Sequence, residues 1–141
     1  MAAREVISDS EEKTMAIAAE FGRQLKPGTV VALEGDLGSG KTTFVKGVAA
    51  GLGLQDKAEV KSPTFALVHI YETRPRLYHL DLYRLETPKE IQSMGIEEIL
   101  SDPESVVCIE WAERAAAFLP PECRRIRFEN TGPASRRITF A

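Results

Sequence analysis

Val30-Val31-Ala32-Leu33-Glu34-Gly35-Asp36-Leu37-Gly38-Ser39-Gly40-Lys41-Thr42-Thr43-Phe44 is the stretch from which the rest of the chain can be read. An apolar run enters a Gly-x-x-x-x-Gly-Lys-Thr turn, and an apolar sequence with helical spacing follows it. That is the full context of a P-loop, strand then turn then helix, and not only its spacing. Backbone N–H groups turned inward along such a loop form an anion nest, and the unpaired N–H groups of the following helix add partial positive charge. Gly35, Gly38 and Gly40 let the backbone approach a phosphate closely. The nucleotide-binding set is therefore Asp36, Gly38, Ser39, Gly40, Lys41, Thr42 and Thr43. Lys41 can reach the β- and γ-phosphates as a point charge, and the Thr42 hydroxyl is placed to ligate a phosphate-bound magnesium ion.

Downstream, Phe44, Val45, Val48, Ala49 and Leu52 recur at helical intervals, and Gly51 and Gly53 bracket the end of that helix. Upstream, Ser10 followed by Glu11 and Glu12 reads as an N-cap with acids in the first helical turn. This first helix extends to about Leu25, with Met15, Ala18, Phe21, Gly22 and Leu25 on one face, and Pro27-Gly28 ends it. Val6-Ile7 is a candidate edge strand.

Ser62-Pro63-Thr64-Phe65 places two hydroxyls around a stiff proline joint. Thr64 is either a switch residue that follows the γ-phosphate and magnesium or part of an ordinary turn. Phe65–Tyr71 and Leu77–Leu82 form a hairpin of β-forming residues, and alternation sets His79 and Asp81 on one face with Tyr78, Leu80 and Leu82 on the other. Asp81 then lies at a strand end, where a Walker B carboxylate would sit, although turn and cap residues also occur there. Thr87-Pro88 caps a helix that Gly95 divides from Ile96–Leu100.

Val106-Val107-Cys108-Ile109 reads as a strand buried on both faces, as in a parallel sheet, and Glu110 follows at once. A buried acid without a partner is costly, so Glu110 is read as a ligand of magnesium or its water, against a structural salt bridge to Arg114. Ala112–Phe118 is helical in character and Pro120-Pro121 stops it. Arg124–Glu129 and Arg137–Phe140 alternate as two closing strands, whose Arg124, Arg125, Arg127, Arg136 and Arg137 are read as a solvated face, against a patch that faces an acidic partner or tRNA. His69 and His79 have no metal-ligand spacing and are read as structural or surface residues.

The 141 residues suit one domain, spanning 1–141, and 43% hydrophobic with 28% charged residues is ordinary globular composition. There is no apolar run of about 18 residues and no secretory h-region at the start, which points to a cytoplasmic protein without a membrane segment. Cys108 and Cys123 have no ligand-type spacing and are read as reduced thiols. A formal net charge of −3 argues against broad nucleic-acid binding. The expected fold is α/β of the P-loop NTPase type, a central mostly parallel sheet with some antiparallel strands, flanked by helices, with Mg-nucleotide at the carboxyl ends of the strands. No Asn-Lys-x-Asp guanine-reading motif is present, since the only asparagine is Asn130, so ATP is favoured over GTP. A small-molecule kinase and a non-hydrolysing nucleotide-binding module remain as alternatives.

Gly35–Thr43, Ser62-Pro63-Thr64-Phe65, His79-Leu80-Asp81-Leu82-Tyr83-Arg84, Met94-Gly95-Ile96 and Ile109-Glu110-Trp111 stand in an order and approximate spacing that resemble the bacterial TsaE (YjeE) family. The resemblance runs from about Ser10 to Pro120, departs mildly at Phe65, where the family often has Tyr, and weakens beyond Pro121. It implies an ATPase that works with the TsaB and TsaD proteins to make threonylcarbamoyladenosine beside the anticodon of tRNAs; the net charge makes any role towards tRNA itself an indirect one. It further implies that Thr42 and Glu110 hold Mg2+, that Lys41 contacts the phosphates of ATP, and that Asp81 acts near the metal or the attacking water. Thr64 would be a switch-like contact, Trp111 part of the site wall or partner face, and Glu11 and Thr14 would flank the adenine.

Overall fold

The computed structural model describes residues 4–36, 38–54 and 68–141. Thr64 lies outside the described residues, as does the first part of the strand expected over Phe65–Tyr71. The elements run β1 (Arg4–Ser8), α1 (Glu11–Arg23), β2 (Val30–Gly35), α2 (Lys41–Gly51), β3 (Val68–Tyr71), β4 (Arg76–Asp81), α3 (Pro88–Ser93), α4 (Ile96–Leu100), β5 (Ser105–Glu110), β6 (Arg124–Asn130) and β7 (Arg136–Phe140). Among the described residues, no helix is long and apolar enough to cross a membrane.

The strands form one sheet in the order β1-β7-β6-β2-β5-β4-β3. Its four middle strands, β6, β2, β5 and β4, are mutually parallel, and antiparallel strands complete both sides. This is the expected α/β architecture. The parallel register sets Leu33 of β2, Glu110 of β5 and Asp81 of β4 in one row at the carboxyl edge. The P-loop leaves β2 at that same edge, so chemistry from three separate stretches of sequence converges there.

Each face of the sheet has its own core. Phe21 of α1 and Phe44 of α2 pack with Phe128 and Phe140 beneath them, at ring-centroid distances of 5.3–6.1 Å. On the other face Leu80, Ile109 and Val107 meet Ile91, Ile96 and Ala112. Helices α1 and α2 pack so closely that a Cβ on Gly47 would meet the Met15 carbonyl, and one on Gly51 would meet that of Ala19. This contact holds α2, and with it the P-loop, against α1.

Local chemistry explains the boundaries. The Ser10 hydroxyl accepts from Lys13 N at 3.1 Å and starts α1, while Thr87 does the same for α3 with Pro88 at the first helical position. Gly95, at φ 83°, separates α3 from α4 in the left-handed region that glycine tolerates. The helix expected over Ala112–Phe118 is instead a short 3-10 turn, Ala112–Ala115. Trp111 enters it from the left-handed region at φ 59°, and Arg114 N bonds Trp111 O with 3-10 spacing, so no α-helical ladder is set up.

Candidate functional site

At the carboxyl edge of the sheet a cavity of about 420 Å3 lies over the N-terminus of α2. Gly38, Gly40, Lys41, Thr42 and Thr43 form its floor. One wall is Asp81, Tyr83, Glu110 and Trp111; the other comes from the start of α1, with Ser10, Glu11 and Thr14, and from the β6–β7 turn, with Pro133, Ala134 and Arg136. Nine predicted site residues are thereby brought together: Glu11, Thr14, Gly38, Gly40, Lys41, Thr42, Thr43, Asp81 and Glu110. Asp36 and Ser39 are not among the lining residues. Asp36 is exposed beside the loop, and its carbonyl accepts from Ser39 N at 3.1 Å. The Ser39 side chain is buried, and its hydroxyl has no hydrogen-bond partner among the described residues.

Gly40 caps α2 at φ 100°, a dihedral that a side chain would resist, and a Cβ on Gly38 would meet nothing within 4 Å. At these two positions no side chain covers the backbone, as an anion nest requires. Lys41 is buried, donates from Nζ to the Gly35 carbonyl at 2.6 Å, and lies 3.9 Å from the centroid of the Trp111 ring. Burial lowers its pKa, and the nearby carboxylates of Glu110, Glu113, Asp81 and Asp36 oppose that shift without cancelling it. Trp111 is the one described non-glycine residue at positive φ, a strained conformation for a bulky side chain. Its ring packs 5.1 Å from that of Tyr83.

Glu110 is 4% exposed, and its charge is matched by donors on two elements. The Thr42 hydroxyl reaches Oε2 at 2.9 Å and Oε1 at 3.2 Å. His79 Nε2 lies 2.5 Å from Oε2. Arg114, the alternative partner, instead donates to the Leu85 carbonyl at 2.8 Å. Asp81 stands beside Glu110 in register, and its Oδ1 accepts from Tyr83 N at 2.9 Å. On the same sheet face, burial pushes the Cys108 thiol up to about 12, so it stays neutral.

The sequence model of the family described as "Threonylcarbamoyl adenosine biosynthesis protein TsaE" matches residues 8–138. The chain belongs to the TsaE family. It is similar to the tRNA threonylcarbamoyladenosine biosynthesis protein TsaE of Treponema pallidum, at 41% identity over 96% of this chain and 98% of that protein. It is also similar to that of Bacillus subtilis, at 42% identity over 92% of this chain and 79% of that protein. The crystal structure of Bacillus subtilis YdiB superposes with a TM-score of 0.83 at 36% identity, covering 99% of this chain and 84% of that one. The family as a whole is thereby tied to threonylcarbamoyladenosine biosynthesis in tRNA.

The donors in this TsaE-family site are hard oxygens. Thr42 and Glu110 offer two such groups already in contact, with Asp81 adjacent. Among the described residues no group of three or more His, Cys, Asp or Glu could hold a metal unaided. Such a sparse oxygen set fits magnesium, which keeps several waters and shares its shell with nucleotide phosphates.

The positions of Tyr83 and Arg136 on the wall, and of His79 behind it, were not read from the sequence. His79 is fully buried, which removes the surface reading, and its contact with Glu110 brings it to the site. Alternation already set it on the Asp81 face, and that was its available signal. Arg136 leaves the solvated strand face expected for it and donates from Nη2 to the Gly38 carbonyl at 3.2 Å. Tyr83 reaches the cavity because the chain turns immediately after β4.

Proposed function

We propose that this chain binds ATP with magnesium over the P-loop and hydrolyses it in support of TsaB- and TsaD-dependent synthesis of threonylcarbamoyladenosine in tRNA. The observation that carries the reading is the Thr42 hydroxyl resting on the Glu110 carboxylate, with Asp81 beside it, in the cavity floored by Gly38, Gly40 and Lys41. In this reading magnesium and the phosphates supply the neutralising charge and the bond that breaks. The protein supplies position: open amides at Gly38 and Gly40, a desolvated ammonium at Lys41, and oxygens at Thr42 and Glu110 for the metal side. Asp81 orients the attacking water from the adjoining strand end. Glu11 and Thr14, at the far wall, face the nucleoside.

The decisive assay is reconstitution of tRNA modification with TsaB and TsaD, with and without this chain, while phosphate release is followed. ATP-dependent modification that needs the chain and is lost with Lys41→Ala is expected. Phosphate transfer to an added metabolite would replace the reading with a kinase. Tight ATP binding without turnover, even with both partners present, would replace it with a regulatory module.

A further inference from the structure

The buried histidine behind the carboxylate is not explained by nucleotide binding alone. His79 is fully buried on β4, on the sheet face that also carries Asp81, Cys108 and Glu110. Its Nε2 lies 2.5 Å from Glu110 Oε2, while its Nδ1 is buried with no hydrogen-bond partner among the described residues. A carboxylate oxygen accepts, so a contact this short requires a proton between the two atoms.

We propose that His79 is the positioning residue of this site: its Nε2–H holds the Glu110 carboxylate in the one orientation that presents Oε1 to the nucleotide's metal ion. Oε2 accepts from both His79 and Thr42, so its two in-plane lone pairs are engaged. Oε1 has only the longer 3.2 Å contact with Thr42 and retains capacity towards the cavity that Glu110 lines. Without His79, the glutamate would keep only the Thr42 hydroxyl, the same group the metal needs, and could rotate off line. Groups that orient a metal-ligating carboxylate typically change metal affinity about 10–100-fold when removed. His79 touches neither nucleotide nor metal in this scheme and acts through Glu110. The inference rests on the Mg-nucleotide reading of Thr42 and Glu110 given above.

The test is manganese binding to the ADP complex, titrated by electron paramagnetic resonance, on wild type, His79→Leu and His79→Gln. The glutamine Nε2 can replace the imidazole donor; leucine cannot. Manganese affinity is expected to fall about 10–100-fold in His79→Leu and to be largely restored in His79→Gln, with ADP affinity in EDTA equal in all three. Equal manganese affinity in all three would overturn the positioning role alone, and so would equal losses in both variants. Wild type that binds ADP without any metal dependence would overturn the Mg-nucleotide reading and this role with it. If His79→Leu does not fold, His79→Asn replaces it, since its shorter amide cannot span to Glu110. Nitrogen NMR on the metal-free wild type gives a second check: a proton on His79 Nε2 is expected, and a proton only on Nδ1 would overturn the proposal.

Discussion

Replacing Lys41 by Met should make the nucleotide-free protein more stable while abolishing its response to nucleotide. Lys41 is 4% exposed, so its ammonium has left most of its water behind. Three contacts compensate: the 2.6 Å bond to the Gly35 carbonyl, the Trp111 ring at 3.9 Å, and the field of nearby carboxylates. A charged hydrogen bond contributes about 1.5–3 kcal/mol and a cation–π contact about 0.5–2 kcal/mol, against an effective desolvation cost of several kcal/mol. The lowered pKa says that desolvation is the larger effect. Methionine has nearly the same length and no charge to desolvate, so a gain on the order of 1 kcal/mol is expected, or about 2–4 °C in Tm. The pH dependence has a definite sign. With the folded pKa below the unfolded one, the unfolded chain binds more protons between the two values, so wild-type stability rises with pH across that window. The penalty is complete below the folded value and gone above the ordinary lysine value, about 10.4. Scanning calorimetry should therefore show the variant ahead at neutral pH and the gap closing as pH rises. Adding ADP at about 100 times its Kd should stabilise wild type by about 2.7 kcal/mol and leave the variant nearly unmoved. A lower Tm for the variant at neutral pH, or a gap that widens with pH, would refute the reasoning.

Glu110→Gln keeps the side chain's shape but leaves one acceptor oxygen for Thr42 and His79, so magnesium-dependent phosphate release should fall at least 10–100-fold while ADP binding in EDTA changes little; wild-type turnover would remove Glu110 from the site. Gly47→Ala places a Cβ against the Met15 carbonyl and 2.5 Å from the Ala18 Cβ, an overpacking that should cost about 1–3 kcal/mol by thermal or urea unfolding; an unchanged midpoint would mean that α1 and α2 can move apart. Trp111, the only tryptophan, should change its fluorescence when ATP draws the Lys41 ammonium from its ring, and Lys41→Ala should abolish the response. Phosphate release by the chain alone should be slow and should rise with TsaB and TsaD present; equal turnover with and without them would show that the chain carries its whole catalytic apparatus.

Local chemistry was readable wherever one residue's preference settles the conformation. The Val30–Leu33 run, the glycine turn and the helix after it follow from hydrophobic pattern and backbone freedom, as do the caps at Ser10 and Thr87 and the break at Gly95. The four apolar residues before Glu110 gave a buried parallel strand for the same reason. Long-range register is not encoded that way. Nothing near Arg136 in sequence says that the β6–β7 turn folds over the P-loop, because that depends on β6 pairing with β2, some 90 residues away. The 3-10 turn at Ala112 escaped for a related reason: alanine-rich sequence favours an α-helix, and the packing of Trp111 against Lys41 and Tyr83 overrides it. His79 was on the correct face from alternation alone, but its pairing with Glu110 requires β4 and β5 to be neighbours.

The placement of the arginines bears on why hydrolysis should depend on partners. Transition-state charge in phosphoryl transfer is commonly met by a guanidinium directed at the transferring group, from the same chain or from another. Here the one arginine lining the cavity among the described residues, Arg136, lies on the wall opposite Asp81 and Glu110 and donates to the Gly38 carbonyl of the loop. Arg114 is near the acidic wall, but its guanidinium is tied to the Leu85 carbonyl and lies 5.5 Å from the Trp111 ring. To reach the cavity it would have to give up that carbonyl and leave the Tyr83 and Trp111 rings it lies against. The lysine that does reach the site is partly desolvated and held by Gly35, which suits binding a phosphate already present more than following charge as it develops. If the chain hydrolyses ATP as proposed, Arg114 and Arg136 would each have to leave these partners to meet the developing charge, which is why turnover is expected to rise when TsaB and TsaD are added.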